Sequence, residues 1–349
     1  ALLRANPYAV VTGALIAATA LDADRLVVAT KASYRREIEA LDRTIAELAA
    51  AGWADGVEIA IVEGPDHYLF GEETALLEVI EGEDPLPRHI PPYLYGLFSN
   101  APQLGWSAGA VGDDATERLG SNPVVVNNVE TYAHVSLVMR RGAAWYRGMG
   151  TRESPGPTIV TVTGDVMRPA VAEVELGHPL RAVIDEVGGG IAPDRSVKAV
   201  LSGVSNGVLT SEALGASVSY EGLSAAGGGL GSAGFIVYDD SRNMVDVAHR
   251  VARFLHVESC GQCTPCKTGS GAVNTAFEQL VLDGALGSRA SNELERALQT
   301  ITDGSRCFLP QQVRTVIPSL LAAFPDDLEE RLAGRTGDVD VPFPKLVDL

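Results

Sequence analysis

The sequence predicts an α/β layer at its N-terminal end, then a small α+β domain, then a C-terminal helical domain, spanning residues 1–150, 151–241 and 242–349. Three patterns carry this reading. Helix and strand signals alternate over the first 63 residues. Short β-rich runs surround one helix between residues 158 and 240. From Met244 onward the periodicity is almost wholly helical.

Residues 8–21 are apolar and read as a buried helix, followed by a short buried strand at residues 25–30 (RLVVAT). Residues 35–51 are amphipathic, with Ile38, Leu41, Ile45 and Leu48 at helical spacing, and residues 57–63 (VEIAIVE) are a second strand. A strand, helix, strand order at these lengths predicts a parallel crossover unit. Residues 81–122 contain PLPRHIPPY and a Gly-, Ser- and Asp-rich passage and read as a long irregular loop, with a helix following at residues 129–140. In the second domain, residues 158–163 and 171–175 are strands flanking a turn with Pro169. Residues 180–187 form a helix ending at Gly188–Gly190, and residues 197–201 and 234–238 are further strands.

Composition excludes some functions. The chain has 349 residues, 46% hydrophobic and 21% charged, and its formal net charge of −18 argues against a protein whose main business is gripping phosphate backbones, which takes clustered Lys and Arg. The uncharged stretch at residues 8–21 is shorter than the about 20 apolar residues a membrane-spanning helix needs. No basic, apolar and small-residue signal pattern opens the chain, which predicts a cytoplasmic protein. Ala1 stands where a start methionine would be, and the first residues already run into a helix, which predicts a chain beginning further upstream.

Chemistry concentrates in the four cysteines. Cys260, Cys263 and Cys266 lie at C-x2-C-x2-C spacing in HVESCGQCTPCKTG, and Cys307 follows roughly 40 residues later. A 4Fe–4S cluster takes four thiolates, and three of them commonly come from one tight loop. Gly261 permits such a loop and Pro265 stiffens it. Structural zinc prefers two separated C-x2-C pairs. A redox dithiol at Cys263 and Cys266 would leave the third nearby thiol unexplained. Inert core cysteines would make the spacing a coincidence, so the cluster is the preferred reading.

The segment ESCGQCTPCK, with the distant fourth cysteine, resembles the E-S-C-G-x-C-x-P-C-R pattern of the flavin- and NADH-binding subunit of bacterial respiratory complex I. It equally resembles the related diaphorase subunits of NAD-linked formate dehydrogenases and hydrogenases. Lys267 stands where the pattern has Arg, keeping the charge and losing the planar fork. HYLFGEETALL, starting at His67, and VNNVET, starting at Val126, resemble two further family segments in the right order. The resemblance implies that residues 158–240 form a ubiquitin-like β-grasp domain and that the chain uses FMN, NAD(H) and a 4Fe–4S cluster. It places Tyr68, Gly71, Glu72, Glu73, Asn127, Asn128 and Thr131 near the flavin or nicotinamide, and it assigns the cluster to Cys260, Cys263, Cys266 and Cys307. For Glu72 and Glu73 the competing reading is a helix N-terminus, where acids interact favourably with the dipole.

The function implied is electron input to a multi-subunit redox complex: NADH oxidised or NAD+ reduced, with electrons passing from FMN to the cluster and on to a partner. The partners implied are a thioredoxin-like 2Fe–2S subunit and a larger iron–sulfur or molybdenum-containing subunit, at the cytoplasmic face of a membrane complex. The family's glycine-rich FMN loop and its acidic segment precede the part matching residues 2–22, so a longer chain upstream is expected. An insertion over residues 98–122 is longer than the resemblance predicts. The rival is a flavin-free 4Fe–4S electron-transfer or scaffold subunit. Gly229, Gly231 and Gly234 satisfy G-x-G-x-x-G, but the motif precedes a strand where a dinucleotide site needs it to open a helix, so it reads as a structural turn.

Overall fold

The computed structural model describes residues 1–98 and 122–334, in two compact units, Ala1–Trp145 and Tyr146–Leu349. In the first, α1 (Leu2–Ala5) leads into α2 (Pro7–Leu21), then β1 (Arg25–Lys31), α3 (Arg35–Ala50) and β2 (Glu58–Gly64). β1 and β2 pair in parallel, from Arg25 opposite Glu58 to Lys31 opposite Gly64, with α3 as the crossover that parallel pairing demands. A 3-10 turn, Tyr68–Gly71, precedes α4 (Glu73–Ile80), and α5 (Pro92–Tyr95) and α6 (Val129–Arg141) complete the unit; α7 (Ala143–Arg147) contains its boundary.

Local chemistry explains these elements. Asn6 caps α2 by accepting from the Ala9 amide at 3.1 Å, Pro7 starts the helix, and Asp22 ends it in the left-handed region at φ 53°. α3 buries Ile38, Ala40 and Leu41 on one face, together with Glu37, whose carboxylate pairs with Arg4. Val10, Val11, Leu15, Leu26, Val28, Leu41 and Ala133 form the core of the unit. α2 crosses α6 at Gly13, where an added Cβ would lie 1.7 Å from the Tyr132 carbonyl oxygen, so only glycine admits that approach.

The second unit holds a five-stranded sheet in the order β4-β3-β7-β5-β6. Its strands are β3 (Pro157–Gly164), β4 (Ala170–Glu175), β5 (Val197–Ser202), β6 (Leu209–Thr210) and β7 (Gly234–Asp239), with α8 (Leu180–Gly188) and α9 (Tyr220–Ala225) between them. β3 and β7 run parallel at the centre, and the other neighbours are antiparallel. The core side chains include Val160, Val162, Leu180, Ile184, Val200, Phe235 and Val237. Among the described residues five helices follow: α10 (Met244–Glu258), α11 (Thr264–Asp283), α12 (Ser288–Thr300), α13 (Leu309–Ala323) and α14 (Pro325–Leu332).

Polar ties join the sheet to these helices. Arg242 donates to Asp165 at 2.8 and 2.5 Å, and Lys198 reaches Asp327 at 2.7 Å. The second carboxylate oxygen of Asp327 accepts from the Met244 amide at 2.6 Å, at the start of α10. Arg331 on α14 pairs with buried Asp246 on α10. Burial pushes the Asp246 carboxyl up, against the pull of Arg331.

The predicted crossover unit and every predicted strand are present, each within a residue or two of its expected bounds. Over residues 81–98 the expected irregular loop is more ordered than its composition suggests. Arg88, buried, pairs with Glu78 and with Glu81 (2.6 Å), and donates to the Gly96 carbonyl at 2.9 Å. One buried guanidinium with three acceptors organises a segment that carries little regular hydrogen bonding. The insertion expected over residues 98–122 lies almost entirely outside the described residues, as does the tail beyond residue 334. No helix among the described residues is long and apolar enough to cross a membrane.

Candidate functional site

The cysteine loop joins α10 to α11. α10 ends at Glu258 and Ser259 turns the chain to an extended conformation. Gly261 takes φ +84°, and α11 starts after Cys263 with a proline in its first turn. Cys260 is exposed, Cys263 half-buried and Cys266 buried in the first turn of α11. Cys307 lies between α12 and α13, two residues before Leu309, and is half-buried.

The loop is held from both sides. Lys267 donates through Nζ to the carbonyls of His256 (3.0 Å) and Ser259 (2.9 Å), filling acceptors left open at the end of α10. Arg306, next to Cys307, donates to Gln262 Oε1 at 2.9 Å, bridging the turn that carries the fourth cysteine to the loop that carries three. Gln262 in turn places Nε2 3.7 Å from Cys260 Sγ, and Ser259 Oγ lies 3.4 Å from Cys266 Sγ. The His256 ring contacts Ser270 Oγ at 3.1 Å; burial, then Lys267, lowers its proton affinity. Burial pushes the Cys266 thiol up, partly offset by Ser259.

Among the described residues, no three Cys, His, Asp or Glu side chains are gathered so as to hold a metal ion, so the four sulfurs do not stand as a closed ligand set. The residues nevertheless fit an anionic thiolate-bound group. Four soft donors are divided between two segments tied together by Arg306 and Gln262. Two cations, Lys267 and Arg306, flank these donors in sequence, and the buried Arg306 Nε has no hydrogen-bond partner. Sequence reasoning missed Ser259, Gln262 and Arg306 as contributors. Their nearness to the cysteines along the chain was the available signal, but their direction was not readable.

The segments expected to border the flavin lie in the first unit. Glu72 caps α4, its carboxylate accepting from the Thr74 amide (3.0 Å), the Ala75 amide (2.8 Å) and the Thr74 hydroxyl (2.7 Å). Asn128 caps α6 by accepting from the Glu130 amide at 3.0 Å. The helix N-terminus reading of Glu72 is thus an observed role. Glu73, Asn127, Asn128, Thr131 and Gly71 are exposed and Tyr68 is half-buried; an added Cβ at Gly71 would meet nothing within 4 Å. A cavity of about 640 Å³ is lined by residues 25–29 of β1, by apolar residues of α2 and α4, and by Asn127. Asn127 alone of the seven expected flavin residues reaches it. Asn127 brings a side-chain amide to this cavity, a group able to hydrogen-bond a flavin ring, while Glu72 and Asn128 already occupy amides at the starts of α4 and α6.

Gly229–Gly234 forms a turn into β7, with Asn206 packed against Gly229 and Gly231 and donating to the Ser202 carbonyl at 3.2 Å. It opens no helix, as the sequence implied.

The chain is thus a mixed α/β protein with a helical, cysteine-bearing C-terminal region. Residues 1–137 match the family described as the Nuo51 FMN-binding domain, and residues 246–331 match the NADH-ubiquinone oxidoreductase-F iron-sulfur binding region. The F subunit of NADH-quinone oxidoreductase from Rickettsia bellii is 30% identical over 342 residues, covering 95% of this chain and 77% of that protein. The Mycobacterium tuberculosis F subunit is 31% identical over 345 residues, covering 95% and 72%. The second F subunit of Rhizobium meliloti is 36% identical over 278 residues, covering 77% of this chain and 61% of that relative. The chain belongs to the family of NADH-quinone oxidoreductase F subunits. It also superposes on a chain of a crystal structure of NAD+-reducing [NiFe]-hydrogenase in the H2-reduced state, with TM-score 0.79 and 30% identity, covering 97% of this chain and 54% of that one. It therefore spans about half the length of that chain, and less than two thirds of the Rhizobium relative. An FMN-binding domain and a 4Fe–4S-binding region are thus assigned to it.

Proposed function

We propose that this chain is the electron-input subunit of a multi-subunit redox complex, oxidising NADH or reducing NAD+ and exchanging single electrons with a partner. The observation that carries the reading is the three-plus-one cysteine set, with its two segments tied by Arg306 and Gln262, inside a region of iron–sulfur type and downstream of an FMN-binding domain. Bound together, FMN and a 4Fe–4S cluster supply the conversion between a two-electron hydride carrier and one-electron partners.

The chain's own residues have distinct duties in this scheme. Cys260, Cys263, Cys266 and Cys307 hold the cluster. Lys267 and Arg306 hold the ligand loop in shape and offset negative charge. Tyr68, Gly71, Glu73, Asn127 and Thr131 border the flavin or nicotinamide, while Glu72 and Asn128 act mainly by setting the helix starts from which those groups project. The domains are residues 1–150 for flavin and nicotinamide, 151–241 as a β-grasp domain, and 242–349 for the cluster. Support for the β-grasp assignment comes from strand order: counted within this sheet alone, it reads second-first-fifth-third-fourth, with the first and fifth strands parallel. The partners fitting this chemistry are a thioredoxin-like 2Fe–2S subunit and a larger iron–sulfur or molybdenum-containing subunit, at the cytoplasmic face of a membrane complex.

The test is flavin, iron and sulfide analysis of purified full-length protein, together with NADH:ferricyanide activity. Four irons and one flavin per chain, with NADH-dependent reduction, are expected. Iron and sulfide without flavin, and no NADH oxidation, would replace this reading with the flavin-free electron-transfer subunit.

A further inference from the structure

We infer that Ser259 sets the reduction potential of the cluster by donating a hydrogen bond from its hydroxyl to the Cys266 sulfur; this rests on the ligand assignment proposed above. Ser259 is 6% exposed, and its Oγ lies 3.4 Å from Cys266 Sγ, which is itself on a 6% exposed residue. In a thiol either atom can donate. A thiolate bound to iron has no proton, so the serine hydroxyl becomes the donor and the sulfur the acceptor. The backbone that carries Ser259 is held in place, because its carbonyl accepts from Lys267 Nζ at 2.9 Å and Lys267 is also anchored on the His256 carbonyl.

One-electron reduction, by a reduced flavin or by an external reductant, adds one negative charge to the cluster and its thiolates. No proton moves and the Ser259 O–H bond stays intact. A donor aimed at a ligand sulfur stabilises the more negative state more than the oxidised one, so it raises the potential. Burial decides which donor matters. Around Cys266 little water competes and the local dielectric is low, which strengthens the bond. Gln262 Nε2 stands 3.7 Å from Cys260 Sγ, and Cys260 is exposed, so water replaces that longer contact at little cost. Ser259 is therefore a positioning and tuning residue, and Gln262 a minor one.

The experiment is a redox titration followed by electron paramagnetic resonance on full-length protein, comparing wild type with Ser259→Ala, Ser259→Gly and Ser259→Thr, each with measured iron and sulfide. In the two hydroxyl-free variants the midpoint is expected to fall, with the equilibrium for one-electron reduction weakened severalfold to tenfold; tenfold is about 59 mV for one electron. Ser259→Thr keeps the hydroxyl and is expected to stay within twofold of wild type, and Gln262→Ala is expected to shift it less than Ser259→Ala. Deuterium coupling to the reduced cluster in D2O should weaken in Ser259→Ala, independently of any change in stability. A midpoint unchanged in a hydroxyl-free variant with full iron and sulfide would overturn the inference, as would a fall in Ser259→Thr equal to that in Ser259→Ala. Wild-type protein carrying no iron and sulfide would instead overturn the ligand assignment itself.

Discussion

The two compact units solve the same problem, covering a sheet, in opposite ways. In Tyr146–Leu349 the central strands β3, β7 and β5 have neighbours on both sides, and their side chains fill one continuous core. In Ala1–Trp145 the sheet is two parallel strands among the described residues, and a cavity of about 640 Å³ runs beside β1. Five consecutive β1 residues line that cavity. Successive side chains alternate between faces, so consecutive lining residues mean that the strand's edge faces the space. Two parallel strands alone are not independently stable. The first unit therefore depends on helix packing, above all the close α2–α6 crossing at Gly13, whereas the second depends on a complete sheet and on buried ion pairs.

The largest expected effect concerns chemistry. Cys307→Ala is expected to lose most of the bound iron and sulfide, measured by elemental and sulfide analysis. Unchanged content would show that the turn before α13 supplies no ligand. Arg331→Leu comes next. Breaking a buried pair by removing one partner costs about 3–5 kcal/mol, so a large drop in the denaturant midpoint is expected. The sign with pH follows from Asp246, whose folded carboxyl is already raised by burial and rises further without Arg331. A raised folded value contributes stability that is full below the ordinary carboxylate value and is lost as pH rises through the folded one. The variant should therefore recover part of its deficit in acid.

For the first unit, Gly13→Ala is expected to cost about 1–3 kcal/mol by overpacking, because the new methyl would meet backbone that cannot turn aside. A neutral result by urea titration would mean that the α2–α6 contact is looser than described and would narrow the contrast between the units. Asn128→Ala should cost about 1 kcal/mol through the lost cap of α6. It should also weaken flavin retention if that helix start shapes the pocket. The smallest effect belongs to Glu221, lowered to about 2 by hydrogen bonds from Ser154 and Thr151, each at 2.5 Å. A lowered folded value contributes stability above the ordinary one, lost as pH falls from about 4.5 to about 2. Glu221→Gln should flatten that acid limb, read from unfolding midpoints across the interval.

Periodicity made most of the fold legible. The run of Ile38, Leu41, Ile45 and Leu48 could only be a one-sided helix, and the apolar β-branched runs at β1, β2, β3 and β7 were readable as strands of the right length. Two-residue β6 and short α9 escaped because neither is long enough for a period to show. Arg88 escaped for another reason: nothing in PLPRHIPP announces that one arginine will collect two carboxylates and a carbonyl. Of the two readings of the Glu72 side chain, the cap on α4 is seen in the structure, and the flavin-side role stays a proposal.

By itself the sequence determined the identities and spacings: four cysteines grouped three and one, the crossover of α3 between two parallel strands, and the order of the GEET and NNVET segments. Tertiary structure alone decided direction and burial. It set Ser259 against Cys266, joined Arg306 to Gln262 across the chain, and placed Asn127 but not Thr131 at the cavity. The reason is physical. Spacing is a property of the covalent chain, whereas the orientation of a hydroxyl or guanidinium depends on which distant backbone groups are left needing a partner once the helices have packed.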